Sequence, residues 1–282
     1  MAISRDEILR NAHNVASLPL IYTRINEAVE ERSSSMAAIG AIIQEDTGLS
    51  ARILRLANSA FYGYPSQIGT IEKALTIIGL KPMRDLALAT SMMQIFKDIP
   101  EDVINMKSFW EHSIACGVTA RILAIRQRQP NAESYFLGGI LHDIGQLILL
   151  QQIPQQIKYL LQLGERQNSP IVELERKELG FDHASLGGRL LRMWKLPAFL
   201  ISMVAAHHSP SSATQFKKAA AVIHFADILA HTLKMGASCE KNIPKLDDKA
   251  WKILALSPAT LPIIAEQVQI HYDSAAAIIL DH

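Results

Sequence analysis

The chain has 282 residues, 49% hydrophobic and 20% charged, enough to bury a sizeable core as one large body or two modest ones. Lysine plus arginine, 28, nearly cancels aspartate plus glutamate, 27, and a net charge of +1 leaves no footprint for nucleic acid as a general partner. The charged start MAISRDEILR, the lack of an apolar run of membrane-spanning length, and only two cysteines, Cys116 and Cys239, argue against secretion, membrane insertion and a disulfide framework. The expectation is a cytoplasmic protein, with any metal held by histidine and carboxylate.

Apolar residues recur at helical spacing almost throughout, and β-branched alternation never lasts, which predicts an all-α fold. Ser4 with Glu7 three residues on makes a capping box for the first helix, and a second begins near Pro19. Further helix punctuation falls at Ser34-Ser35, at a Thr47-Gly48 break, at Thr70, at Pro82 in a first turn and at Pro100. Segments 104–127 and 131–152 read as two long antiparallel helices joined at Pro130-Asn131, with Asn131 as the cap. Asp182 caps a helix running to about Lys195, and Pro197 opens another that ends near His208-Ser209-Pro210. One more spans about 214–235, and the tail from Asp247 is helical again, with a start at Ser257-Pro258. No linker is rich enough in Gly, Pro or Ser to separate independent domains.

Polar groups inserted into these apolar helices are costly unless paired, and they cluster in four places: WEHS at His112, LHDIGQ at His142-Asp143, AAHHSP at His207-His208 and HFADILA at Asp227. His142 and Asp143 read as neighbours on one helix whose side chains diverge by about 100° yet reach one ion seated against that turn. Gly138, Gly139 and Gly145 surround them, at roughly 1 kcal/mol each relative to alanine in a helix, a cost explained by close helix approach or a ligand. A bundle would bring His112 and Asp227 to the same ion, while His183, His207 and His208 form a second group. Two ions with Asp143 bridging would polarise a phosphoryl oxygen and generate hydroxide near neutral pH, which makes Asp143 the candidate catalytic carboxylate.

Each residue also has a plainer reading. His112 alone is a hydrogen-bonded core histidine, His207-His208 sit favourably at a helix C-terminus, and Asp182 is a cap that leaves His183 at the surface. His224 and His231 flank Asp227 at i−3 and i+4 and at most orient or cover its carboxylate. Asn58 and Ser59 turn the chain before Phe61 and Tyr62 enter the core. Arg52, Arg55, Lys73, Lys81 and Arg84 are either a basic docking surface or an ordinary solvated face.

The block EDTGLSARILRLANSAFYGYPSQIGTIEKALTIIGLKPMRDLALA, followed by FWEHSIACGVTARILA, YFLGGILHDIGQLIL, FDHASLGGRLLRMWKLP and VAAHHSP, resembles the HD-related output domain, HDOD, from about Leu18 to Leu229. That resemblance implies an HD-like helical bundle with an added N-terminal helical subdomain. It places the N-terminal part at 1–100, the HD-like core with its metal site at 101–235 and a C-terminal helical extension at 236–282. It also implies a bacterial signalling or regulatory role, in a family related to HD phosphohydrolases and HD-GYP phosphodiesterases. His112, His142, Asp143 and Asp227 match the HD pattern, and His183, His207 and His208 match the additional HD-GYP histidines. Two departures stand out: Gln146 occupies the position of the HD-GYP lysine, and no Gly-Tyr-Pro loop follows His208.

The expected function is therefore an HDOD regulatory module that holds one or two divalent ions, iron or manganese, with zinc and nickel as alternatives. Its partner would be a signalling protein or a small phosphorylated or nucleotide ligand. No sensor, receiver or GGDEF-like segment is recognisable, so input is expected from a separate molecule. The competing expectation is a metal-dependent phosphohydrolase acting on a phosphomonoester, nucleotide or cyclic dinucleotide, with Gln146, Arg189 and Lys195 near the substrate.

Overall fold

The computed structural model describes residues 5–15, 18–31, 35–96, 99, 103–240 and 242–281. Ser4 of the capping box, Ser34 and Pro100 lie outside the described residues. Among those described, all regular structure is helical. In the N-terminal third lie α1 (Arg5–Val15), α2 (Leu20–Glu30), α3 (Met36–Gln44), α4 (Thr47–Ala57), α5 (Ile71–Ile78) and α6 (Leu80–Ile95). Then follow α7 (Met106–Arg126), α8 (Ala132–Leu141), α9 (Ile144–Gln152), α10 (Pro154–Gln167), α11 (Ile171–Leu179) and α12 (His183–Met193). The chain closes with α13 (Ala198–Ala205), α14 (Lys217–Thr232), α15 (Asp248–Leu254) and α16 (Leu261–Ile279).

Local chemistry sets most boundaries. The side chains of Ser35, Asp46, Thr70, Asn105, Asp182 and Asp247 each accept a backbone N–H in the first turn of the helix they precede. The second break thus falls at Asp46, and Gly48 lies inside α4. Asn131 departs from expectation: it sits in the left-handed region, φ 55°, where a side-chain cap needs extended backbone, and makes no such cap.

Two apolar clusters organise the molecule. A smaller one joins α2 to α6 through Ile25, Ile39, Ile43, Leu49, Ile53 and Leu75. The larger surrounds α7, nearly every residue of which from Phe109 to Ala124 is buried, with α8, α14 and α16 packed along it. α1 leaves its sequence neighbours and docks on α9 and α12. α6 ties the two clusters together. Arg84, expected at a surface, is buried beside Asp85, whose Oδ1 accepts from both Nε and Nη2, while Nη1 reaches Asn26 and Glu30 of α2. The other Asp85 oxygen accepts the Ser134 hydroxyl of α8.

The long helix predicted over 131–152 is in fact two, broken at His142-Asp143. His142 Nδ1 donates to the Gly139 carbonyl at 2.7 Å, and Asp143 leaves helical geometry at φ −98°, ψ 13°. Helix approach on either side of the break is set by glycine. A Cβ on Gly139 would stand 2.4 Å from the Gly117 Cα on α7, and one on Gly145 would stand 2.0 Å from the His183 carbonyl oxygen at the start of α12.

Candidate metal centre

Five places in the fold deliver donors to one point in the larger core. α7 presents His112, the α8–α9 break presents His142 and Asp143, and α12 begins with His183. The turn after α13 presents His207 and His208, and α14 presents Asp227. His112, His142, His183 and His207 are fully buried, with Asp143 3% and Asp227 2% exposed. They fall into two groups: His112, His142 and Asp227 in one, and Asp143, His183, His207 and His208 in the other, with donor atoms in each group mutually within 4.8 Å.

Asp143 faces both groups. Its Oδ2 lies 3.2 Å from His142 Nε2, and its Oδ1 lies 3.3 Å from His183 Nε2 and 3.5 Å from His207 Nε2. Asp227 Oδ1 lies 3.1 Å from His112 Nε2 and 3.8 Å from His142 Nε2. Two donors on one ion at about 2.1 Å and a right angle stand about 3 Å apart, so these spacings suit shared coordination.

Three of the imidazoles, those of His142, His183 and His207, are held in one orientation from behind. Nδ1 of His142 and Nδ1 of His207 donate to the carbonyls of Gly139 and Val204, each at 2.7 Å, which leaves a lone pair on Nε2 pointing inward. Both Nε2 atoms are buried without a hydrogen-bond partner. His183 Nδ1 meets Glu175 Oε2 at 2.6 Å, and the same oxygen accepts the His183 backbone N–H. Its Nε2 then stands 2.8 Å from His208 Nε2, two lone-pair-bearing nitrogens that need a proton or a cation between them.

Electrostatics agree. Burial alone would raise the carboxylates, but the surrounding imidazoles, His142 foremost for Asp143 and His112 for Asp227, hold both well below the usual range. Burial alone would discharge His142 and His183, yet Asp143 with Cys116 raises the first well above its ordinary value, and Glu175 with Asp143 raises the second. Burial wins at His112 and His208, which are lowered. Buried negative charge, orphaned inward nitrogens and fixed ring orientation together fit a pair of divalent cations.

The three residues expected near a substrate separate. Gln146 is buried beside the centre, its Nε2 3.5 Å from His183 Nε2 and its Oε1 accepting the Cys239 N–H at 3.1 Å. Arg189 is instead partly exposed and pairs with Asp6 of α1, and Lys195 is exposed in the turn after α12. The correction is geometric: six residues beyond His183, Arg189 is turned roughly 240° around α12 and lies about 9 Å along it. Glu175 was missed, because within ELERKELG it reads as one more solvated charge. His224 orients the second group from behind, donating from Nδ1 to the His207 carbonyl and accepting the Asp247 N–H at Nε2.

The HDOD domain family matches residues 15–210. This chain belongs to that family. An HDOD domain protein of unknown function from Geobacter sulfurreducens superposes with a TM-score of 0.77 at 21% identity, covering 97% of both chains. A protein from Shewanella amazonensis SB2B, provisionally named a phosphohydrolase, gives 0.72 at 24% identity with the same coverage of both. Identities this low establish the HDOD fold. An uncharacterised protein of Treponema pallidum (strain Nichols) is 24% identical over 235 residues, 82% of this chain, and this chain spans 45% of that relative's length. Among the described residues no single helix is long and apolar enough to cross a membrane.

Proposed function

We propose that this chain is a cytoplasmic regulatory HDOD module of bacterial signalling, whose buried centre holds two divalent ions, iron or manganese foremost. In this reading the ions stiffen the junction of α7, α8, α9, α12 and α14, and a signalling protein or small phosphorylated ligand reads the resulting surface. One observation carries it: every donor but the half-buried His208 is sealed at 3% exposure or less, and the place where a phosphate clamp would stand belongs to Gln146, neutral and tethered to Cys239.

The phosphohydrolase reading rests on Asp143, whose two oxygens each serve one donor group, an arrangement dinuclear hydrolases require. A bound ion pair would supply Lewis acidity toward a phosphate ester. Gln146 offers such an ester a hydrogen bond but no charge, and Arg189 stands elsewhere, so neither adds a cationic side chain to what the ions would supply.

Metal analysis of protein purified without chelator, followed by assay against phosphomonoesters and cyclic dinucleotides beside Asp143→Ala, tests the assignment. The expected result is about two equivalents of metal and no turnover above the Asp143→Ala background. Turnover that Asp143→Ala abolishes would transfer the assignment to the enzyme. Gln146→Lys is expected to raise hydrolysis only if the phosphate contact is all that is missing.

A further inference from the structure

The geometry points to His231 as a further ligand of the ion held by His112, His142 and Asp227, an inference that rests on the metal-binding reading above. His231 lies one turn after Asp227 on α14, with Nε2 3.3 Å from Asp227 Oδ1 and its ring centroid 4.4 Å from that of His112. The side chain is 9% exposed and Nε2 is fully buried. Despite the short separation, Nε2 and Oδ1 are not aligned as a hydrogen bond, and Nε2 has no other partner. It shares this condition with Nε2 of His142 and of His207, the inward nitrogens of the two groups.

Two histidines flank Asp227, and their surroundings divide them. His224 spends both ring nitrogens, one on the His207 carbonyl and one on the Asp247 N–H. His231 keeps its Nε2 for whatever Asp227 Oδ1 binds. A side chain serving only to steer the carboxylate would donate along a lone pair of Oδ1; a nitrogen 3.3 Å away and off that line is placed as two donors on one cation are. His231 lies outside the set whose donor atoms are mutually within 4.8 Å, so the side chains must close up for all four to share one ion. With it, each half of the centre has three imidazoles and a carboxylate. A nitrogen-rich first half favours a transition-metal ion over magnesium or calcium.

The test uses the full chain, stripped with chelator and titrated with Co2+ while visible absorption and bound cobalt are followed. Wild type is expected to take two equivalents. H231Q keeps an amide able to hold Asp227 by a hydrogen bond but has no imidazole; it is expected to bind one equivalent about tenfold or more weakly, with an altered ligand-field band. H231A in millimolar imidazole is expected to recover that equivalent and band, which separates a lost ligand from a misfolded chain. Two equivalents in H231Q with wild-type affinity and spectrum would overturn the assignment while leaving the metal centre intact. No cobalt uptake by wild type would overturn both.

Discussion

The carboxylates and imidazoles of the centre titrate against one another, which sets a pH dependence. His142 and His183 have folded values raised well above the ordinary imidazole range. Their contribution to metal-free stability is complete below about pH 6.5 and is lost as pH rises through the raised folded values. The midpoint of thermal unfolding of stripped protein is therefore expected to fall on the alkaline side, while metal-loaded protein, whose cations replace those protons, holds its midpoint; parallel melts across pH 6 to 10 check this. Glu175→Gln removes the charge behind His183 Nδ1 and is expected to weaken metal at the second group by about 10- to 100-fold, read by chelator competition. Glu175 also marks the limit of residue-level reading. Histidine and aspartate in an apolar helix announce themselves through their cost, whereas Glu175 sits among charged neighbours and becomes a partner of His183 only when α11 folds back.

At the scale of helices, the glycines matter more than the caps. The pattern in sequence located most helices, because 3.6-residue periodicity and capping side chains are local. It ran straight through the break at His142-Asp143, since apolar residues on both sides hide a turn that is buried on every face. The same locality misplaced Arg189 and Lys195, because which way a helix turns its residues depends on what it packs against. The three glycines around His142 did signal close approach, and Gly139 meets Gly117 as α8 crosses α7. Gly139→Ala would force a Cβ to 2.4 Å from backbone, with no flexible side chain to yield. It is expected to destabilise the protein by about 2 kcal/mol or more in denaturant titration, the range of core overpacking.

Across the whole molecule, Arg84 and Asp85 join the N-terminal helices to α8, the helix that ends in His142. Asp85 is raised, with burial the leading cause, but Arg84 and Ser134 still bind it directly. Asp85→Asn leaves the buried Arg84 guanidinium with only the exposed Glu30 carboxylate as counter-charge and is expected to cost about 3 kcal/mol. The double variant Arg84→Met with Asp85→Leu is expected to cost less than that single change, which equilibrium unfolding resolves. This bridge was not legible beforehand, because Arg84 stood in a row of basic residues and the Arg84–Asp85 pair finds its other partners on α2 and α8. Gly236, at φ 68°, lies so close under the backbone of α7 that a Cβ there would meet the His112 nitrogen at 2.3 Å, and beside it the Ala237 N–H donates to Ser108 and the Cys239 N–H to Gln146. With that segment of backbone packed beside His112 and Gln146, and only His208 half-buried among the proposed ligands, an ion inside would exchange by local opening of this cover. The cargo of such a vault would turn over slowly, so the purified molecule would keep a record of the ions it last met.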